Sequence, residues 1–170
     1  RHAMPIAIND LRERFSAYAN AFAGTDGRLP PMLQMKVDHT LRVAADCALL
    51  AREMGWKPRA CATVESAGLL HDVGRFPQYR DYATFADARS VDHGDLGAEM
   101  LDAHGLLRGY SAAVGEVIRI AVRCHNKRHV PATIQPEALP FVHVVRDADK
   151  LDIMQVIGAV LRGVPDLRDP

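Results

Sequence analysis

Cysteine is scarce in this sequence: Cys47, Cys61 and Cys124 are the only three in 170 residues, and none belongs to a CxxC pair. That excludes a disulfide scaffold and a thiolate zinc framework, so the thiols read as reduced core residues of a cytoplasmic protein. Cys124 stands beside His125 and is a minor ligand candidate, against the plainer reading as a small buried hydrophobe. Long apolar runs are missing as well. No stretch approaches the roughly 18 to 20 residues of a membrane span, and the start shows no secretory signal pattern. Net charge is absent, with Lys plus Arg and Asp plus Glu both at 21. No broad nucleic-acid or membrane surface follows from such a balance, and an anionic ligand must be held locally. Strand alternation, hairpin turns, internal repeats and low-complexity tracts are also lacking. What remains is an all-α chain. Its 48% hydrophobic and 25% charged residues suit a folded domain with a full core.

Arg1-His2-Ala3 ahead of Met4 reads as an expression leader, so His2 is set aside. Residues 4–164 are expected as a single domain with its core over about 33–160, and 165–170 as a polar tail. Asn9 or Asp10 can cap a first helix to about Ala23, and Gly24 to Pro31 is a linker. Pro30-Pro31 opens a long helix to Met54, ended by Gly55 and Pro58. His39 lies on it in a stripe with Met35, Val43 and Leu50, expected to turn inward. A third helix, Pro58 to Leu70, aligns Val64, Ala67 and Gly68 with His71. Val73 to Val91, with Gly74, Pro77 and the aromatics Tyr79, Tyr82 and Phe85, is expected as a structured loop. The spacing then predicts a helix over Asp92 to His104, aligning His93 with Leu96, Gly97, Met100 and Leu101. Ser111 caps another, which aligns Val114, Ile118, Ala121, Val122 and His125. After a turn-rich segment from Asn126 to Pro140, a last helix, with a break expected near Leu151, aligns Val142, Val145, Asp149, Ile153, Val156 and Val160.

Asp149 inside an aliphatic stripe is costly to bury unless paired or bound to a metal. The same question arises at His39, His71, His93 and His125, each on its own helix with apolar residues at helical spacing. One inward histidine is usually a hydrogen-bonded core residue, but this many on different helices point to a metal site. Imidazoles suit Fe, Mn, Zn, Ni and Co, and four of them with two carboxylates can hold one six-coordinate ion or two sharing a carboxylate. Two is the preferred reading. His71 and Asp72 lie about 100° apart on a helix, yet at a helix end both can approach one centre, with Asp72 bridging. Two clamped ions also suit in-line displacement at phosphorus.

The order His39, His71-Asp72, Asp149, set in Leu69-Leu70-His71-Asp72-Val73-Gly74-Arg75 and Asp147-Ala148-Asp149-Lys150-Leu151-Asp152, resembles the HD-domain superfamily of metal-dependent phosphohydrolases. The resemblance spans Leu33 to Val160. It implies a helical bundle of five or more core helices, with those positions as metal ligands. His93 and His125 match the order of the two extra histidines of binuclear members, which implies a second divalent ion, Mg included among the candidates. The chain has Val73-Gly74-Arg75 where the cyclic-dinucleotide branch has Ile-Gly-Lys, and it lacks that branch's Gly-Tyr-Pro motif, which disfavours such a substrate.

The leading expectation is therefore a phosphomonoesterase or phosphodiesterase acting on a nucleotide or other small phosphorylated metabolite through a metal-bound hydroxide. Arg75 would orient the phosphate through its planar fork, or else form a loop salt bridge. Lys127 and Arg128, with Arg123, either guide the anion or make a solvated face. Asp147 should be solvated, Asp152 should support a ligand imidazole or pair with a cation, and His104 lies about 16 Å along its helix from His93, too far to share its site. His129 and His143 read as surface or core residues. Two alternatives share the ligand set: a mixed-valent di-iron oxygenase of HD type, and a non-catalytic metal-containing nucleotide-binding module.

Overall fold

The computed structural model describes residues 8–162, with side chains described to residue 158. Among them there are helices and no strands. α1 (Ile8–Asn20) buries Leu11 and Phe15, and begins early enough that Asn9 and Asp10 lie inside its first turn. α2 (Pro31–Glu53) and α3 (Pro58–Leu70) form a hairpin, each opened by a proline at its first position, where no amide donor is needed. Gly55 turns the chain between them at φ 72°. The two helices can lie close because Gly68 has no side chain: a Cβ there would sit 2.8 Å from Cys47 Sγ and 3.1 Å from Ala44 Cα.

The expected loop after His71 is largely helical. α4 (Arg75–Tyr82) follows at once, and a single 3-10 turn covers Asp87–Arg89. α4 escapes a periodicity reading because its buried residues, Phe76, Pro77 and Gln78, are consecutive rather than spaced as a stripe. α5 (His93–Ala103) starts where expected, with the Asp92 carboxylate accepting from the amides of Gly94 and Asp95. α6 (Ala112–Cys124) starts from Ser111, whose hydroxyl accepts from Val114 N. α7 (Leu139–Arg162) is preceded by a 3-10 turn, Pro136–Ala138, and runs through Leu151 without the expected break.

α3 is the spine, packed against α1, α2, α6 and α7. Around it Val64, Leu69, Leu70, Phe15, Phe76, Leu101, Ile118, Val142 and Val145 are all buried. Each such side chain contributes about 1.5–3 kcal/mol on burial, which offsets the cost of the charged groups placed beside them. Two inward stripes need correction. Met35, in the exposed opening turns of α2, is itself exposed, and Ile153 of α7 is exposed whereas Asp152 is buried. The buried face of α7 runs through Val142, Val145, Ala148 and Asp152, so a polar group holds the position next to Ile153 that hydropathy alone assigns to the aliphatic one. Val160 lies outside the described side chains. Cys47, Cys61 and Cys124 are all buried and free, and no described helix is long and apolar enough to cross a membrane.

Candidate metal centre

The histidines reach one point by different local routes. His71 and His125 are the C-cap residues of α3 and α6, where the last carbonyls of a helix lack amide partners. Each ring uses one: His71 Nδ1 lies 2.7 Å from Gly68 O, and His125 Nδ1 2.7 Å from Val122 O. The other two rings lean on carboxylates, His39 Nδ1 on Asp152 Oδ2 and His93 Nδ1 on Asp87 Oδ2, both at 2.7 Å. A carbonyl or ionised carboxylate only accepts, so in each ring Nδ1 donates, and in the neutral form Nε2 keeps its lone pair.

All four Nε2 atoms converge on Asp72, which is 2% exposed. Its Oδ2 lies 3.5 Å from His71 Nε2 and 3.7 Å from His39 Nε2. Its Oδ1 lies 3.5 Å from His93 Nε2 and 3.7 Å from His125 Nε2. Asp149 joins the first set, its Oδ1 at 3.0 Å from His39 Nε2 and 3.7 Å from His71 Nε2. Three groupings have ligand atoms close enough to hold an ion: His39, His71 and Asp72; Asp72, His93 and His125; and His71, His125 and Asp149. Asp72 links the first two. The helix end does place adjacent His71 and Asp72 at a common centre.

A cation fits what these atoms lack. His39 Nε2 and His71 Nε2 are buried without a hydrogen-bond partner. His93 Nε2 and His125 Nε2 face each other at 3.0 Å, and with both Nδ1 atoms donating, neither neutral ring has a hydrogen to offer the other. Burial opposes ionisation of Asp72, yet Lys36 and the imidazoles of His71, His125 and His93 hold its carboxyl well below the usual range. Burial and the charge of Asp72 push Asp149 upward, but His39 and His71 outweigh them and lower it. Burial pulls the His39 pKa down, but Asp149, Asp152 and Asp72 together raise it. His93 goes the other way, to about 4, mainly through burial, with His125 and Arg75 adding to it against Asp72 and Asp87. The centre thus combines buried carboxylates with imidazole lone pairs, the donor set of a divalent transition metal.

A family model described as HD domain matches residues 37–154, well over half of the chain. The chain belongs to the HD domain family. Membership and the clustered His and Asp residues together point to divalent-metal binding and to the family's metal-dependent hydrolases. No curated protein and no solved structure matches the chain.

The outer groups of this HD domain take up positions that spacing left open. Arg75 is committed to its loop: one Nη donates to Gln78 Oε1, Phe85 O and Asp87 Oδ1 at 2.9, 2.6 and 3.0 Å. Its Nε turns to the centre, 3.5 Å from Asp72 Oδ1 and without a hydrogen bond. Lys127 Nζ is held between Asp92 and Asp95 at 2.7 Å each, and so fastens the start of α5 rather than facing the imidazoles. Arg128, His104, His129, His143 and Asp147 are exposed. Asp152 does both things expected of it as alternatives: besides His39 it binds Arg42, its Oδ1 2.9 Å from Nε.

Four supporting residues escape a sequence reading. Lys36 Nζ lies 2.7 Å from Asp72 Oδ2; its position three residues before His39, on the same helix face, was the available signal. Asp87 orients His93, and Asn126 Nδ2 donates to both Asp87 Oδ2 and Asp92 Oδ1, at 3.1 and 2.9 Å. Arg146 donates to the carbonyls of Cys124, His125 and Lys127, closing the end of α6 that carries His125. No local pattern announces these three. Gly74 matters by having no side chain, since a Cβ would overlap the backbone of His93 and of Gly97; its absence lets the first turn of α5 reach Asp72.

Proposed function

We propose that this protein is a metal-dependent phosphohydrolase acting on a phosphomonoester or phosphodiester of a nucleotide or other small phosphorylated metabolite. The observation that carries the reading is the division of Asp72: each of its oxygens faces a separate pair of imidazole Nε2 atoms. In this reading the centre would hold two divalent ions, with Asp72 common to both groups of ligands. His39, His71, Asp149 and Asp72 would hold one, and His93, His125 and Asp72 the other. Such a pair supplies the Lewis acidity that activates water and carries charge developing on phosphate oxygens; Mn, Fe, Ni, Co, Zn and Mg are the candidates.

The chain's own residues set the geometry. Asp152, Asp87, Gly68 O and Val122 O fix the four ring planes before anything binds, so little reorganisation is needed. Burial of Asp72 keeps bulk water from competing for the ligand atoms. Arg75 Nε, with its Nη tied to the loop, is a fixed donor beside Oδ1 and orients a substrate oxygen there.

The test combines metal content with turnover. Chain purified without added metal or chelator is assayed for bound ions and for phosphate release from aryl phosphomonoesters, aryl phosphodiesters and nucleotides, in air and under strict anaerobiosis. About two ions per chain with oxygen-independent phosphate release supports the proposal. Metal-replete protein that releases phosphate from no phosphoester overturns it, and turnover that consumes oxygen replaces it with an oxygenase.

A further inference from the structure

The reading above leaves one charged group without a role, the Lys36 ammonium on the bridging carboxylate. Its contact with Asp72 Oδ2 falls on the same oxygen that His39 and His71 face. The side chain is only 14% exposed, and its ammonium also lies over the Phe85 ring, 5.4 Å from the centroid. Arg75 approaches the same ring, its guanidinium carbon 5.6 Å from the centroid, and turns to Oδ1 as Lys36 turns to Oδ2. Phe85 is thus shared by two cations that approach opposite oxygens of one carboxylate.

We propose that Lys36 is a charge-switched anion receptor, bound to Asp72 in the empty protein and released by metal loading to bind a phosphate-type oxyanion. Without ions, Asp72 and Asp149 are two carboxylates, and Lys36 is the close cation on Asp72. Two divalent ions bring four positive charges against those two, and the field at Lys36 changes sign, as bound cations invert local charge logic. Attraction to Asp72 gives way to repulsion from the ions behind it. The Phe85 face supports the ammonium during this change, and the anion it then meets is one drawn to the ion pair itself. Arg75, tethered by Gln78, Phe85 O and Asp87, stays in place, so the two cations differ in function: one fixed, one released. This rests on the phosphohydrolase reading of the same centre.

The experiment compares wild type, Lys36→Met and Lys36→Arg, each metal-free and Mn-loaded, with inorganic phosphate as the calorimetric probe. For Lys36→Met the metal-free melting temperature falls, the loaded one does not, Mn binds several-fold more tightly, and phosphate binds the loaded form about tenfold or more weakly. Lys36→Arg keeps phosphate affinity close to wild type. Loaded Lys36→Met that binds phosphate as wild type does overturns the proposal, and so does Lys36→Met that takes up Mn less tightly. Loaded wild type that binds no phosphate removes the hydrolase reading as well, and that arm separates the two failures.

Discussion

The two sides of Asp72 hold equal numbers of imidazoles but unequal charge. On the Oδ2 side, His39 and His71 are joined by a second carboxylate, Asp149, and the ligands ride on α2, the end of α3 and α7. On the Oδ1 side, His93 and His125 have only Asp72 itself, with the Arg75 guanidinium near it, and His93 depends on Asp87 from a 3-10 turn. Carboxylates attract a divalent ion more strongly than neutral rings do, and a nearby cation repels it. A cation stands at each oxygen, Lys36 at Oδ2 and Arg75 at Oδ1, so the second carboxylate decides: on the proposed two-ion reading the Oδ2 side would be the tighter site and the Oδ1 side the exchangeable one. A geometry nearly symmetric in distance would be asymmetric in affinity.

The largest effect belongs to the residue both sides share. Asp72→Ala should remove both ions and lower phosphoester turnover by more than about a thousandfold, read by metal analysis and by phosphate release on the same preparation; retention of either ion at wild-type affinity would break the shared-bridge picture. Next come the one-sided variants. Asp149→Ala should empty the Oδ2 side, and His93→Ala the Oδ1 side, each leaving about one ion per chain. If either loses both, the sides are not separable. Smaller still are the supports. Asp87→Ala and Asp152→Ala should each weaken one ion by about 10- to 100-fold, the first on the weaker side and the second on the tighter one, in competitive chelator titrations.

The smallest effect is on pH dependence, and here the two sides have opposite signs. His93 is depressed from 6.5 to about 4, so between those values the unfolded chain binds the proton and the fold does not. Stability of the metal-free protein should rise with pH through that window. His39 is raised, so its contribution is full below pH 6.5 and is lost as pH climbs through the folded value. Metal-free thermal stability should therefore peak near pH 6.5, and His39→Gln should abolish the alkaline decline while leaving the acid limb. Metal affinity on the Oδ2 side should rise across the alkaline window, because binding there releases the His39 proton.

The candidate ligand positions were legible because each stands in a local register. His39, His71, His93 and His125 are buried, and each except His39 marks the boundary of a helix whose cap or apolar stripe the sequence displays. What was illegible depends on partners far away in the chain. Asp152 could be read as supporting an imidazole or pairing with a cation, and the fold makes it do both because His39 and Arg42, three residues apart on α2, both face it. Arg75 could be read as a phosphate fork or a loop clamp; Phe85 O and Asp87 take its Nη, and neither lies within a helical turn of it. Gln78, fully buried, ties the same segment through Asp87, Ser90 and Val91 O, so polar bonds rather than an apolar stripe order that stretch.

The placement of Asp149 and Asp152 on the final described helix gives the site a chronology. A chain made from its N-terminus has every Oδ1-side candidate ligand once His125 is synthesised, whereas the Oδ2 side still waits for α7 to supply both Asp149 and the support of His39. The Oδ1 half of the centre is thus complete in sequence first, and α7 then brings a second carboxylate to a centre that already has Asp72.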